Sequence, residues 1–331
     1  MGAAINTRRD TIDIKKLLKG DSRTLARAIT LIESQNPEHR RESKRLLKIV
    51  SKFETSSFRI SISGAPGAGK STLIEALGLS LVELGHKVGV LTIDPTSPIT
   101  GGSILGDKIR MEKLSAHPKA FIRPSPTGPH MGGTTNRTRE AILLCEAAGF
   151  DIIMVETVGV GQTEYQVKDM VDAFVLAVSP LSGDSIQGMK KGILELADLV
   201  LVTKADGASK NLAEITLNDY KNSLQLQHRI DQWVPSVMVV SSVERTGLPE
   251  IWNNLQQYFA YKQSSGALEN DRLKQKMIWA QDLCWETLHD RYAHKLNSSS
   301  MQKKILKMFK TSHMNPEQVA AILLKYYLAR M

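Results

Sequence analysis

Cysteine is almost missing from this chain. Two residues in 331, Cys145 and Cys284, stand far apart and in no ligand-like spacing. That excludes a disulfide framework or thiolate metal site, and the expectation is two small buried thiols in a reducing compartment. Aromatic residues make up 5 % of the chain and do not interleave with the basic ones. No RNA or DNA motif is recognisable either, so nucleic acid is not an expected partner. The eight histidines are scattered, and His289 and His294 are five apart, the wrong spacing for one helical face. No apolar run approaches a membrane span. Neither a signal-peptide core nor a long Arg/Ser-rich leader opens the chain. Gly2 is followed by Asn6, where a myristoylation signal wants Ser or Thr. The expected location is cytoplasmic, with no membrane contact. No internal repeat is present.

Positive charge is present but unevenly placed. Of the net +9, residues 1–60 carry +7 and residues 262–331 carry +6, whereas residues 61–261 carry −4. The flanking basic residues follow a helical apolar pattern, which reads as solvated helix faces.

The hydrophobic pattern divides the chain at the same points. Residues 1–55 read as an N-terminal helical segment, with Asp21 or Ser22 capping one helix and Asn36-Pro37 opening the next. Residues 56–261 alternate helices with six short apolar runs, at 58–63, 87–94, 151–156, 173–178, 199–203 and 237–241. Near-continuous apolar strands separated by helices predict an α/β domain with a mostly parallel sheet covered on both faces. Residues 262–331 return to helix as a C-terminal extension, broken at Ser298-Ser-Ser300 and restarted at Asn315-Pro316-Glu317.

The first apolar run leads into Gly64, Ala65, Pro66, Gly67, Ala68, Gly69, Lys70, Ser71 and Thr72. This is the G-x-x-x-x-G-K-[ST] phosphate-binding loop, with the strand before it and the helix after it that the motif requires. Glycines let backbone N–H groups approach phosphate oxygens, and the helix N-terminus adds partial positive charge. Lys70 is placed to reach the β- and γ-phosphates, and the Ser71 hydroxyl to join a Mg²⁺ shell. A glycine-rich turn that carries Lys-Ser by accident would not need the flanking strand and helix. The sequence implies a nucleoside triphosphate.

Open parallel sheets bind ligands at the C-terminal ends of their strands. Asp94 and Glu156 end two strands, and Asp107 lies in the loop between them. Each is either a surface carboxylate or a direct or water-mediated Mg²⁺ ligand, Glu156 being the strongest candidate. Glu156-Thr-Val-Gly159 has the form of a loop whose glycine N–H senses a γ-phosphate. Thr203-Lys204-Ala-Asp206 closes another strand, where an aspartate accepts both N–H groups of a guanine edge. Adenine lacks that pair of donors, so GTP and GDP are the expected nucleotides. Ser241, Ser242 and Val243, at the next strand end, are further nucleotide-binding candidates.

Taken together, Gly64–Thr72, Gly106–Met111, Arg123–Pro126, Glu156–Glu164, Gly183–Gly192 and Thr203–Asp206 resemble the MeaB/ArgK family of P-loop GTPases, which includes the methylmalonic aciduria type A protein of animals. The likeness extends to Leu17–Glu33 and covers essentially the whole chain. It implies a Mg²⁺-dependent GTPase that chaperones a cobalamin-dependent acyl-CoA mutase, usually methylmalonyl-CoA mutase, gating cofactor loading and protection. It implies a homodimer built through the C-terminal helices. The chain opens at the family's first shared helix, so no mitochondrial leader and a bacterial source are expected.

Two features depart from common GTPase patterns. The base motif of the family is usually Asn-Lys-x-Asp, and Thr203 here loses an amide donor, which points to reduced guanine affinity. Val160 stands where Ras-like enzymes carry the water-orienting Gln, and Gln162 follows two residues later. Intrinsic hydrolysis is therefore expected to be slow and to be completed by a partner. Lys190 and Lys191 end the Gly183 stretch. They either start a solvated helix or supply, through Lys190, a cation in cis to the transferring phosphate. Nickel-delivery GTPases need Cys/His clusters, and signal-recognition GTPases need a Met-rich domain. The alternative kept open is an ATP- or GTP-using kinase of an arginine/ornithine transport system.

Overall fold

All six apolar runs form strands, and a seventh joins them at the sheet edge. The computed structural model describes residues 12–34, 36–53, 56–94, 111–126, 131–157, 163–180, 191–225, 233–311 and 314–328. Strands β1 (Phe58–Ser63), β2 (Val88–Asp94), β3 (Ala120–Pro126), β4 (Ile152–Glu156), β5 (Ala173–Val178), β6 (Leu199–Val202) and β7 (Ser236–Val239) lie in the order β3-β2-β4-β1-β5-β6-β7. Every pairing is parallel. The edge strand β3 escapes the apolar pattern, because Ala120-Phe-Ile-Arg-Pro-Ser-Pro126 carries one arginine and two prolines. An edge strand tolerates both, since one side of its ladder is unpaired.

Helices cover the sheet where the apolar spacing requires it. On one face α4 (Lys70–Glu83) and α10 (Leu248–Ser264) bury Leu73, Leu77, Ile251 and Phe259 against Ile60, Ile62, Val90 and Met154. Phe58 stacks on Phe259 with ring centroids 3.8 Å apart. The short α5 (Glu112–Ser115) adds Leu114 to this cluster. On the other face α1 (Ile14–Leu18), α2 (Ser22–Glu33), α3 (Pro37–Val50) and α6 (Met131–Ala147) pack Leu25, Ile29, Leu46 and Ile142 over Leu91, Ile153 and Val155. Asp21 caps α2 by accepting from Thr24 N, and Asn36 caps α3 with Pro37 in its first turn. Cys145 is buried in this cluster, as expected, whereas Cys284 is exposed.

Helix α7 (Thr163–Lys168) adds Val167 to this cluster, and beyond β5 the face is covered by α8 (Lys191–Leu196) and α9 (Lys210–Gln225). Phe174, Leu176, Leu194, Val200 and Leu224 form a third cluster there. The described chain gathers into two units, one ending at Gln275 and one beginning at Lys276. The second holds most of α11 (Ala267–Leu296), then α12 (Ser299–Thr311) and α13 (Pro316–Leu328). Asn315 Oδ1 accepts from Gln318 N, while Gln318 Oε1 accepts from Asn315 N, a reciprocal cap for α13. Tyr327 packs edge-on against Tyr292, with the Lys295 ammonium 4.9 Å from its ring centre. No helix among the described residues is long and apolar enough to cross a membrane.

Candidate functional site

The site begins where β1 ends, in the middle of the sheet. Gly64 has φ +150°, and a Cβ there would run into the carbonyl of Ala177 on β5, so only glycine lets the loop leave the strand at this angle. Gly67 and Gly69 follow in the left-handed region, and Gly69 is the N-cap of α4. Gly69 makes no side-chain cap bond to that helix, an arrangement suited to an anion at the first-turn N–H groups. Pro66 and Thr72 are exposed, while Ala68 is buried beneath the loop.

Lys70 is 8 % exposed. Its ammonium donates to Gly64 O at 2.8 Å and Ala65 O at 3.0 Å, folding the side chain back over the loop. Burial lowers its pKa from the ordinary lysine value, against the opposing pull of the Glu156 and Glu164 carboxylates. Ser71 Oγ donates to Glu156 Oε1 at 2.7 Å. Glu156 reaches this point because β4 pairs directly with β1, Ile62 standing opposite Glu156. Thr157 secures the same strand end by donating from its hydroxyl to Ser63 Oγ at 2.8 Å. Ser71 and Glu156 are hard oxygen donors of the kind that Mg²⁺ accepts. Among the described residues there is no group of three or more His, Cys, Asp or Glu able to hold a metal. A cation here would fill its shell with phosphate oxygens and water, which suits Mg²⁺ beside a nucleotide.

Asp94 ends β2, two strands from β1 and beside β4; its side chain lies outside the described residues. Asp107, Gly159, Gln162 and Lys190 also lie outside them. Sequence reasoning gave no role to Glu164. It is 1 % exposed in the first turn of α7 and directs its charge at Lys70. Its signal was available, since it closes the Glu156–Glu164 stretch.

The base-reading segment follows β6. Thr203 is 1 % exposed, and its hydroxyl lies 2.6 Å from Ala68 O and 2.9 Å from Val178 O. It therefore faces the phosphate loop. Lys204 adopts φ +55°, and its aliphatic stem lies over Gly69. Asp206 Oδ2 accepts from Ser241 Oγ at 2.7 Å, and Ser241 Oγ accepts from Glu244 N at 3.0 Å. Backbone bonds between Ser241 and Thr246 close the loop that carries Ser242 and the exposed Val243. Ala205 N donates to Val240 O at 3.2 Å, which joins the two loops.

Comparison with known proteins agrees with this geometry. Residues 25–297 match the family described as Methylmalonyl Co-A mutase-associated GTPase MeaB. A probable GTPase of Mycobacterium tuberculosis is 44 % identical over 299 residues, covering 89 % of this chain and 88 % of that protein. A mitochondrial methylmalonic aciduria type A homolog of Mus musculus is 40 % identical over 329 residues, covering 95 % of this chain and 78 % of that protein. The crystal structure of a protein described as LAO/AO transport system kinase superposes with a TM-score of 0.73 at 34 % identity, covering 95 % of each chain. With a phosphate loop on β1, a Ser–Glu pair at its helix and an aspartate held after β6, the chain belongs to the MeaB family of P-loop GTPases.

Proposed function

We propose that this GTPase is a chaperone of a cobalamin-dependent acyl-CoA mutase of the methylmalonyl-CoA type, using GTP and Mg²⁺ to gate cofactor loading and protection. The Asp206–Ser241 bond carries the guanine part of this reading. It holds a carboxylate at the strand end where a guanine edge presents two donors, and adenine offers no such pair. The client part is supported by the family's description and by the methylmalonic aciduria relative.

In this reading Lys70 neutralises the β- and γ-phosphates, and the N–H groups of Gly64–Thr72 cradle them. Ser71 and Glu156, with Asp94 and Asp107, hold Mg²⁺. Gly159 senses the γ-phosphate, and Gln162 and Lys190 complete hydrolysis when the client docks. Lys204, Asp206, Ser241, Ser242 and Val243 enclose the base. The working form is a cytoplasmic homodimer. Exposed Met277, Leu283, Trp285, Leu306 and Phe309 on α11 and α12 supply the apolar surface such an assembly buries.

The test is Mg²⁺-dependent hydrolysis of GTP and ATP by the purified protein, with and without methylmalonyl-CoA mutase from the same organism. Slow GTP-selective turnover that rises with mutase supports the proposal. GTP turnover indifferent to the mutase points to another client. A preference for ATP favours a transport-system kinase, as the 34 % identical protein of known structure is described.

A further inference from the structure

Tyr165 and Gly192 lie against each other, far apart in sequence. Tyr165 follows Glu164 on α7, and Gly192 is the second residue of α8. Gly192 has an ordinary helical backbone, which any residue can adopt, and glycine in a helix costs about 1 kcal/mol relative to alanine. Its reason is space. A Cβ at Gly192 would overlap the Tyr165 hydroxyl oxygen and stand 3.4 Å from Cζ of the same ring.

Each helix is fixed by its other side. Glu164 and Val167 are buried on α7, and Thr135 of α6 donates its hydroxyl to Gln166 Oε1 at 2.7 Å. Leu194 of α8 is buried against β5 and β6. The Tyr165 ring is half exposed and spans the gap between them. Among the described residues α7 is the first helix after Glu156, and β4 and β5 flank β1 on either side. A shift at the phosphate end therefore reaches α7 directly and α8 through this contact.

We propose that Tyr165 on Gly192 is a positioning contact for the GTPase reaction, transmitting the nucleotide state read after β4 to the start of α8. The inference rests on the GTPase activity and is independent of which client is served. Loss of client stimulation would therefore leave it standing.

The experiment uses the full chain and follows amide hydrogen exchange at residues 191–196 with GDP and with a non-hydrolysable GTP analogue, alongside kcat and KM for GTP. The wild type should exchange differently in the two states. Gly192→Ala should erase that difference and lower kcat at least about fivefold, with KM within about twofold. Tyr165→Ala should do the same by removing the ring. Tyr165→Phe in the Gly192→Ala background should restore both readouts, because losing the hydroxyl makes room for the methyl group. A glycine that only makes room for the ring would lower thermal stability in Gly192→Ala yet keep the nucleotide-dependent exchange difference. The proposal is overturned if the wild type shows no nucleotide-dependent difference at 191–196. It is equally overturned if Gly192→Ala keeps that difference, or if the Phe variant fails to restore it.

Discussion

The hydroxyl of Thr203 joins the base-reading segment to the phosphate loop, lying 2.6 Å from Ala68 O and 2.9 Å from Val178 O. The residue that departs from the usual Asn-Lys-x-Asp pattern thus braces the site from below. Its single proton serves two carbonyls, so the bond survives small shifts of either. Thr203→Val keeps the shape and removes the donor; Val178 O keeps its bond from Thr203 N, and the lost bond to Ala68 O should cost about 1 kcal/mol. Because the bond connects two halves of the nucleotide site, part of that cost should appear as weaker GDP binding. Titration with a fluorescent GDP analogue, beside thermal unfolding, separates the two. Unchanged affinity with lowered stability would confine Thr203 to the core.

Ser241 should act on base choice through Asp206. It donates to Asp206 Oδ2 and accepts from Glu244 N. Ser241→Ala leaves Asp206 free to rotate, so GTP affinity should fall by about one charge-assisted hydrogen bond, roughly 1.5–3 kcal/mol. ATP affinity should hardly change, and selectivity should narrow with it. Competition binding of GTP against ATP checks this, and an equal loss for both nucleotides would show that Ser241 supports the loop and not the carboxylate.

The sheet was legible because parallel strands buried on both faces read as unbroken apolar runs, Ala173–Val178 above all. The phosphate loop was legible because its glycines, lysine and serine are contiguous. What stayed hidden depends on residues distant in sequence. β3 carries arginine and proline at an edge where pattern is relaxed. Tyr165 and Gly192 meet from separate helices, and nothing local marks either. The partnership of Arg272 with Asp172 spans 100 residues and is set wholly by how α11 packs.

That last pair should dominate stability. Arg272 donates from Nε and Nη2 to the two oxygens of Asp172 at 2.9 and 2.7 Å, and from Nη2 to Ser57 O at 2.7 Å. Asp172 is 1 % exposed and also accepts from Arg59 N at 2.9 Å. Arg272→Ala removes the cation and leaves a buried carboxylate, which costs about 3–5 kcal/mol. Arg272→Lys should recover little, since a point charge cannot make the paired bonds. Urea unfolding measures this; a loss below about 1 kcal/mol would mean that water replaces the guanidinium.

Lys70 should make nucleotide binding depend on pH in a defined direction. Burial lowers its pKa from 10.5, while Glu156 and Glu164 oppose the shift. The unfolded chain therefore holds this proton more tightly than the free folded protein does. The cost to the fold is present in full below the lowered pKa, shrinks as pH rises from there, and is gone only above the unfolded lysine pKa. A bound polyphosphate adds negative charge beside the ammonium and restores the proton. Binding should then take up protons at alkaline pH, and GDP affinity should fall as pH climbs towards the ordinary lysine range. Calorimetry in two buffers of different ionisation enthalpy reads the uptake directly. Lys70→Met should abolish it along with much of the affinity. Glu164→Gln removes one opposing charge, so Lys70 loses its proton more readily and uptake should begin at lower pH. If Glu164→Gln left the pH profile where it was, Glu156 would be the carboxylate that opposes the burial of Lys70.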